Sequence, residues 1–360
     1  MPPDSDPSAG GSAATSGLPE AYLLGEGQYD AWDELVTAQQ KTGSIYSTAR
    51  YLDILCRAAG GSFSILALRD NDAILGGIGL YRQQVNGRDV IAPRRLLYYN
   101  GPVLRDDLLA LEGDYSTRLR CLAALARFLG GQREDSITLY CKEGNQDFRP
   151  WIEQGWRVSP AYTIAVPLSD GGALWKRLDK NARRLIRRAE EYGCTVAADN
   201  DVDSLYRAHE EVHLRKGTDL YLARDSFRRY ADELIAAGLA DVFTARLSSG
   251  EPASSQLVLL GRHPWSHTVC AGSFAAHRHS GATYLLRWRA FVELGKRGYA
   301  MNDLTNASLG AVTRFKEQLG GILTMDMSLK LVRSRWARLT GPGRRLYRII
   351  LGNQRQGTRR

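Results

Sequence analysis

One order of elements, hairpin then strand then helix then strand, occurs twice along the 360-residue chain, the copies displaced by roughly 165–180 residues. In the first copy, β-rich runs from Phe63 to Leu68 and Ala73 to Arg82 flank the turn cluster Asp70-Asn71-Asp72. A short strand at Leu96 to Tyr99, a helix from Ser116 to Leu129 stopped by Gly130-Gly131, and a strand from Ile137 to Cys141 follow. In the second, the hairpin is Val242 to Leu247 and Ala253 to Leu260, turned by Ser248-Ser249-Gly250-Glu251. A strand from Thr268 to Ala275, a helix from Thr283 to Arg297 and a strand from Met301 to Leu304 complete it. Two helical segments precede each copy, Tyr29 to Gln40 and Tyr51 to Ala58 in one, Val202 to Arg215 and Arg224 to Ala237 in the other. A strand from Tyr162 to Val166 and one helix from Leu174 to Glu191, with the stripe Leu174, Leu178, Ala182, Leu185 and Ala189, open the second half. Two copies of one α/β fold are the economical reading, over 21–158 and 159–320, after a disordered tail at 1–20 and before a final segment at 321–360.

Charge is distributed unevenly over this frame. The net charge is +9, yet residues 331–360 hold nine arginines and no acidic residue, so the remainder is balanced. Such a concentrated basic tail fits RNA, a phosphorylated substrate or an anionic membrane surface, or is simply a solvated tail. Apolar residues make up 44% and charged residues 24%, which excludes a disordered chain. No apolar run approaches the ~18 residues of a membrane span, and the start, MPPDSDPSAGG, has neither the basic nor the apolar part of a secretory signal. The five cysteines are odd in number, scattered and never spaced C-x-x-C, which suits a reducing cytoplasm.

Most familiar catalytic signatures are missing. His209-Glu210-Glu211-Val212-His213 is a literal H-E-x-x-H, but the extended zinc motif fails at Lys216 and Asp219, so two ordinary helix histidines are expected and no metal. No G-x-S-x-G elbow, no G-x-x-x-x-G-K-[ST] loop and no strand-linked G-x-G-x-x-G appears. What remains is chemistry that depends on positioning and electrostatics. Three features serve it. The helix at 174–191 carries Lys176, Arg177, Lys180, Arg183, Arg184, Arg187 and Arg188, whose guanidinium forks suit phosphate oxygens or a solvated face. Arg278-His279-Ser280-Gly281-Ala282-Thr283 opens a helix and resembles the R-x-x-G-x-G/A loop with which GNAT acyltransferases hold a pyrophosphate, with Arg278, Gly281 and Thr283 as candidate donor or phosphate contacts. Arg314-Phe315-Lys316-Glu317-Gln318-Leu319-Gly320-Gly321 places a lysine on a short helix, where it could face a developing oxyanion or only solvent.

Read together over residues 20–330, the segments G-S-I-Y-S-T at 43–48, Y-Y-N-G-P-V at 98–103, N-A-R-R-L-I-R-R-A-E at 181–190, N-D-L at 302–304 and F-K-E-Q-L-G-G at 315–321 resemble the FemA/FemX-like family of aminoacyl-tRNA-dependent transferases. That resemblance implies two tandem GNAT-like domains, each a mixed, mostly antiparallel twisted sheet flanked by helices, with the segment after 320 returning to the first domain. It implies transfer of an aminoacyl group from tRNA to an amine with no cofactor, Phe315 and Lys316 lying at the donor end. It makes Tyr98, Tyr99, Asn100, Arg184 and Arg187 substrate contacts, the two arginines facing a phosphorylated acceptor. Two departures bear on the acceptor: Asn100 stands where cell-wall enzymes often carry arginine, and the acidic residue after G-P-V comes late, as Asp106. The helical arm of some members is absent as well. The acceptor is then a peptide, a peptidoglycan precursor or a small natural-product amine, and Asp106, Asp107 or Asp303 would take its proton, unless substrate or water does. An acyl-CoA donor is the alternative, and a catalytically silent GNAT-like binding module a second one.

Overall fold

In the computed structural model, which describes residues 19–71, 73–110, 113–168 and 171–333, the strands join in one mixed, mostly antiparallel sheet flanked by helices. The basic segment from 334 onward and most of the expected N-terminal tail lie outside the described residues, and a strand already begins at Glu20. The first half runs β1 (Glu20–Leu23), α1 (Tyr29–Ala38), α2 (Ala49–Ala59), β2 (Ser62–Asp70), β3 (Ala73–Val85), β4 (Arg88–Ile91), β5 (Val103–Leu104), α3 (Tyr115–Gly130), β6 (Ser136–Cys141) and α4 (Arg149–Glu153). The second runs β7 (Arg157–Pro167), α5 (Gly171–Arg177), α6 (Lys180–Glu191), β8 (Thr195–Ala198), α7 (Val202–Lys216), α8 (Arg224–Ala236), β9 (Ala240–Arg246), β10 (Pro252–Leu259), β11 (Trp265–Ser273), α9 (Ala282–Lys296), β12 (Met301–Asp303), α10 (Ala311–Gln318) and β13 (Ile322–Val332).

The strand order is β1-β2-β3-β4-β6-β13-β7-β12-β11-β10-β9-β8. From either edge it reads the same way: four antiparallel strands, then a parallel neighbour (β6 beside β4, β12 beside β11), then an antiparallel one. The last neighbours are exchanged. β7 borders β12, β13 borders β6, and β7 and β13 pair at the centre from Ile322↔Ala165 to Lys330↔Arg157. The period-2 alternation of the strands decides which core each residue enters. Ile65, Ala67, Val242 and Leu257 point to a shared face under α1, α2, α7 and α8, where the Tyr51 and Tyr230 hydroxyls meet at 2.9 Å. Leu66, Leu68, Ile137 and Leu139 point the other way, under α3 and α4, as Phe243, Ala245 and Val258 do under α5, α6 and α9.

Two expectations need correction. The helix predicted over Leu174–Glu191 is two helices, because Asp179 leaves helical geometry, accepts from the Asn181 N–H at 2.7 Å as N-cap of α6, and donates its own N–H to the Gln318 carbonyl at 3.0 Å. Leu96–Tyr99 is not a strand: Leu96 sits at φ +77°, and the chain here crosses the sheet instead of extending it. Arg333, first of the basic-tail arginines, donates to the Leu129 and Gly130 carbonyls at 2.6 and 2.8 Å and so closes the C-terminus of α3.

Candidate active site at the junction of the two halves

Parallel strands that diverge leave backbone groups without ladder partners, and the sheet contains two such places. β4 and β6 pair only at Val90↔Ser136 and Ile91↔Ile137, after which the crossing segment fills the gap. The Asn100 amide donates to the Thr138 carbonyl at 3.0 Å and accepts from the Tyr140 N–H at 2.8 Å, while its own N–H reaches the Tyr140 carbonyl at 3.2 Å. Gly101 follows because a Cβ there would stand 2.7 Å from the Cys141 Cα. Asn100, expected as a substrate contact, therefore serves as a buried strand substitute.

The second gap is built differently. β11 and β12 pair from Trp265↔Met301 to His267↔Asp303, and beyond Asp303 the chain turns through Thr305 and Asn306, both left-handed at φ +53° and +46°. Asp303 is fully buried with both oxygens occupied. The Thr163 hydroxyl and the Thr305 N–H (2.7 Å) donate to Oδ1, and Tyr99 Oη (2.9 Å) and His267 Nδ1 (3.3 Å) reach Oδ2. Burial would raise this carboxyl, but His267 and the other donors outweigh it and hold Asp303 below the usual carboxylate range. Burial likewise lowers His267.

Tyr99 Oη lies 2.9 Å from a second carboxylate oxygen, Oδ2 of Asp326 on β13. Burial, followed by the negative charge of Asp303, pushes Asp326 up to about 7. Asp326 and Tyr99 form part of a narrow pocket that Leu97, Tyr98, Tyr140, Tyr162, Thr163 and the 306–308 turn also line. The Lys316 ammonium, from α10, is not among the lining residues but donates to the Thr305 and Asn306 carbonyls, the latter at 2.6 Å, and Asn306 lines the pocket. Burial lowers Lys316 to about 7, with Asp303 opposing. Lys142, buried over the Trp265 ring at 4.4 Å and bonded to the Gly43 carbonyl, adds a further cation and is lowered to about 8 by burial.

The structure thus brings together Tyr98, Tyr99, Asp303 and Lys316 of the sequence candidates, and leaves the others apart. Phe315 packs edge-on against Tyr284 at 5.0 Å within the second half's core. Asp106 accepts the Gln40 and Lys41 N–H groups at 2.6 and 3.2 Å, and is not among the pocket residues. Gly281, at φ +83°, lies against α6, where a Cβ would meet the Leu185 carbonyl at 2.3 Å; the next N–H, of Ala282, reaches Ser280 Oγ at 3.1 Å. Arg278 is exposed and Thr283 partly buried beside it. Arg184 and Arg187 line a shallow surface concavity with Arg188, Glu191 and Tyr192. The His209 and His213 rings meet at 4.2 Å, tilted by 55°, and His209 faces Cys270 Sγ at 3.3 Å and the Tyr221 N–H at 3.4 Å. Asp326 and His267 were not anticipated: an aspartate within the run Met325 to Ser328 and a histidine at a strand end have no motif around them.

No curated protein sequence matches the chain. The model of the acetyltransferase (GNAT) domain matches residues 176–317, which contain α6 to α9, all but the last residue of α10, and the second gap but not the first. Among solved structures, FemX superposes with a TM-score of 0.66 at 13% identity, over 89% of this chain and 99% of that one. A tandem GNAT protein from the clavulanic acid biosynthesis pathway superposes at 0.51 and 13% identity, over 87% and 98%. The chain has a tandem GNAT fold. A further neighbour of this tandem GNAT protein is the C-terminal domain of an Agrobacterium fabrum protein named for lysylphosphatidylglycerol synthesis, at a TM-score of 0.56 and 12% identity, over 91% and 98%. The resemblance to the FemA/FemX-like family holds at the level of the fold, and among the described residues no helix is long and apolar enough to cross a membrane.

Proposed function

We propose that this tandem GNAT protein is an N-acyltransferase that moves an aminoacyl group from aminoacyl-tRNA to an amine of a peptide, cell-wall precursor or small natural product. The observation that carries the reading is the setting of Lys316. Two of the three ammonium donors are held by the Thr305 and Asn306 carbonyls, which fixes the ammonium at this turn and leaves one donor for a ligand. An aminoacyl ester is already activated, so aligning amine and carbonyl supplies much of the acceleration. One fixed N–H donor on the tetrahedral oxygen or the leaving ribose oxygen supplies more, typically 10²–10³-fold.

Three further points favour an RNA donor. Lys176, Arg177, Lys180, Arg183, Arg184, Arg187 and Arg188 of α5 and α6 make no ion pair with a carboxylate among the described residues. That leaves a basic face for phosphates. The loop opening α9, where a CoA pyrophosphate would be cradled, packs Gly281 on α6 and engages the Ala282 N–H with Ser280. The neighbour named for lysylphosphatidylglycerol synthesis carries, by its name, an aminoacyl product on the same fold. Acyl-CoA remains the second reading because the matched family model is that of an acetyltransferase domain.

The test is incubation of the purified chain with mixed radiolabelled aminoacyl-tRNA, and separately with labelled acetyl-CoA, with cell extract as acceptor source. Label passing from one tRNA species into a nuclease-resistant amide establishes the reading. Label passing from acetyl-CoA alone replaces it with the second, and intact RNA binding without transfer from either donor supports a binding module.

A further inference from the structure

The pocket beside Lys316 ends in a carboxyl, Asp326, and has phenol rings on its walls. We propose that it receives the primary ammonium group of the acceptor and that Asp326 is the base that takes the proton this nitrogen gives up. The proposal rests on the N-acyl transfer reading above.

The first argument is a proton count. Asp303 has two donors on each oxygen, one of them Tyr99. A phenol has a single proton, so when Tyr99 gives it to Asp303 the 2.9 Å approach to Asp326 is a hydrogen bond only if Asp326 carries a proton of its own. The two carboxyls and the phenol therefore hold two protons between them, in the manner of coupled acids. Asp303 is saturated and closed off, whereas Asp326 opens to the pocket. A proton that can be displaced or regained at the pocket surface belongs to Asp326.

The second argument is the shape of the site. About 80 Å³ of water-accessible space suits an ammonium and its first carbons, not a nucleotide. Tyr140 and Tyr162 stand among its walls, and aromatic faces attract a cation most when it is partly desolvated. Besides Tyr98, Tyr140 and Tyr162 of the pocket, the charged and titratable groups acting on Asp326 are Asp303 from β12, Tyr99 from the crossing segment, and Cys141, Lys142 and Glu143 at the end of β6. Lys142 is already committed to Gly43 and Trp265, so it leaves room for a second cation at Asp326. Asn306 lines the pocket while its carbonyl holds Lys316, so one residue links the ammonium pocket to the oxyanion donor.

The steps balance. Entry of R–NH₃⁺ displaces the Asp326 proton to solvent and forms a carboxylate–ammonium pair. Asp326 then takes one proton from the nitrogen, the amine attacks the ester carbonyl, the C–N bond forms and the ester C–O bond breaks. The second proton lost by nitrogen passes to the departing ribose oxygen, leaving the amide N–H. Asp326 ends protonated, as it began.

The test titrates n-butylammonium chloride into the full chain by calorimetry slightly below neutral pH, in two buffers of different ionisation enthalpy, with n-butanol as the uncharged control. Saturable binding that releases protons is expected, with no binding of butanol and at least ~10-fold weaker binding by Asp326→Asn. Unaltered binding by Asp326→Asn, or none by the wild type, overturns the proposal; melting curves confirm that the variant is folded. Tyr162→Ala, at a 42% exposed position, gives a second variant with little risk to folding and is expected to weaken binding as well. In the transfer assay Asp326→Asn should lose about 10²–10⁴ in rate together with the rising limb of its pH profile. Undiminished transfer by that variant overturns the base while the donor reading stands. Amine binding that requires Asp326, with no transfer from any tRNA, keeps the ammonium site and removes the donor reading.

Discussion

The two halves open the same gap in the same sheet and fill it in opposite ways. Beyond Ile91 and Ile137 the first half closes the gap with its own chain, Asn100 acting as a missing strand neighbour to Thr138 and Tyr140. Beyond His267 and Asp303 the second half sets side chains there: a saturated carboxylate, a buried histidine and, across the turn at 305–306, a lysine. The GNAT domain match covers only this second gap. A repeated framework therefore does not imply a repeated site. A gap whose backbone groups are satisfied internally is a structural joint, and one lined by ionisable side chains can act on a ligand.

The largest effect that would sharpen this contrast is at Lys316. Lys316→Ala should cut transfer by about 10²–10³ and leave the melting temperature nearly unchanged near neutrality. Because burial lowers Lys316 to about 7 from 10.5, folding costs it a proton in that range. Wild-type stability should therefore gain with rising pH between those values, a gain the variant lacks. Variants in the first gap should invert the pattern. Gly101→Ala drives a Cβ to 2.7 Å from Cys141, and Asn100→Ala strips Thr138 and Tyr140 of their partner; each should cost about 1–3 kcal/mol in chemical denaturation. Transfer per folded molecule should be almost intact. An Asn100 variant that kept full stability while losing turnover would break the comparison.

A smaller effect separates the two carboxyls. Asp303 is lowered, so the stability it contributes is present above its unfolded value and lost as pH falls through the folded one. Asp326 is raised to about 7 from 3.8, so its contribution is present below the unfolded value and lost as pH rises through the folded one. Asp326→Asn should therefore match the wild type near pH 4 and melt higher near pH 8, by a few degrees. A variant destabilised at every pH would mean that Asp326 holds the sheet together instead of costing it stability.

The hairpins, α3, α9 and the helix pairs were legible because apolar periodicity and turn residues are local signals, and the repeat made each copy support the other. Lys316 was singled out by its F-K-E-Q-L-G-G context, and the structure sets it at the Asn306 turn. The crossing at 92–102 was not, since Leu96 to Tyr99 has strand composition and only the missing neighbour of β6 explains its path. Nor was Asp326, because β13 follows α10 with polar residues spaced along it, and its meaning arises from Tyr99, 227 positions away in sequence. The break at Asp179 was hidden for the opposite reason: the stripe from Leu174 to Ala189 keeps its spacing across it, although Asp179 is a good N-cap residue.

The smallest expected effect concerns the surfaces of the same two halves. Arg57, Arg69, Arg82, Arg105 and Arg149 of the first half each meet a carboxylate, whereas the cations of α6 meet none among the described residues. Arg187 instead lies over Trp175 at 5.7 Å and Arg188 over Tyr192 at 5.4 Å, contacts that orient a guanidinium without neutralising it. If α6 meets RNA phosphates, Arg184→Ala and Arg187→Ala should each weaken tRNA binding on the order of 3-fold and lower the salt slope by about one. Arg246, bonded to Asp199 and Asp201 at 2.8 and 2.6 Å, is the matched control. Its alanine variant should leave the salt slope unaltered, because a guanidinium already held by two carboxylates has little charge left to offer a phosphate. Equal losses from all three variants would reduce the basic face to its share of the total charge, and the asymmetry of the halves would then end at the gap.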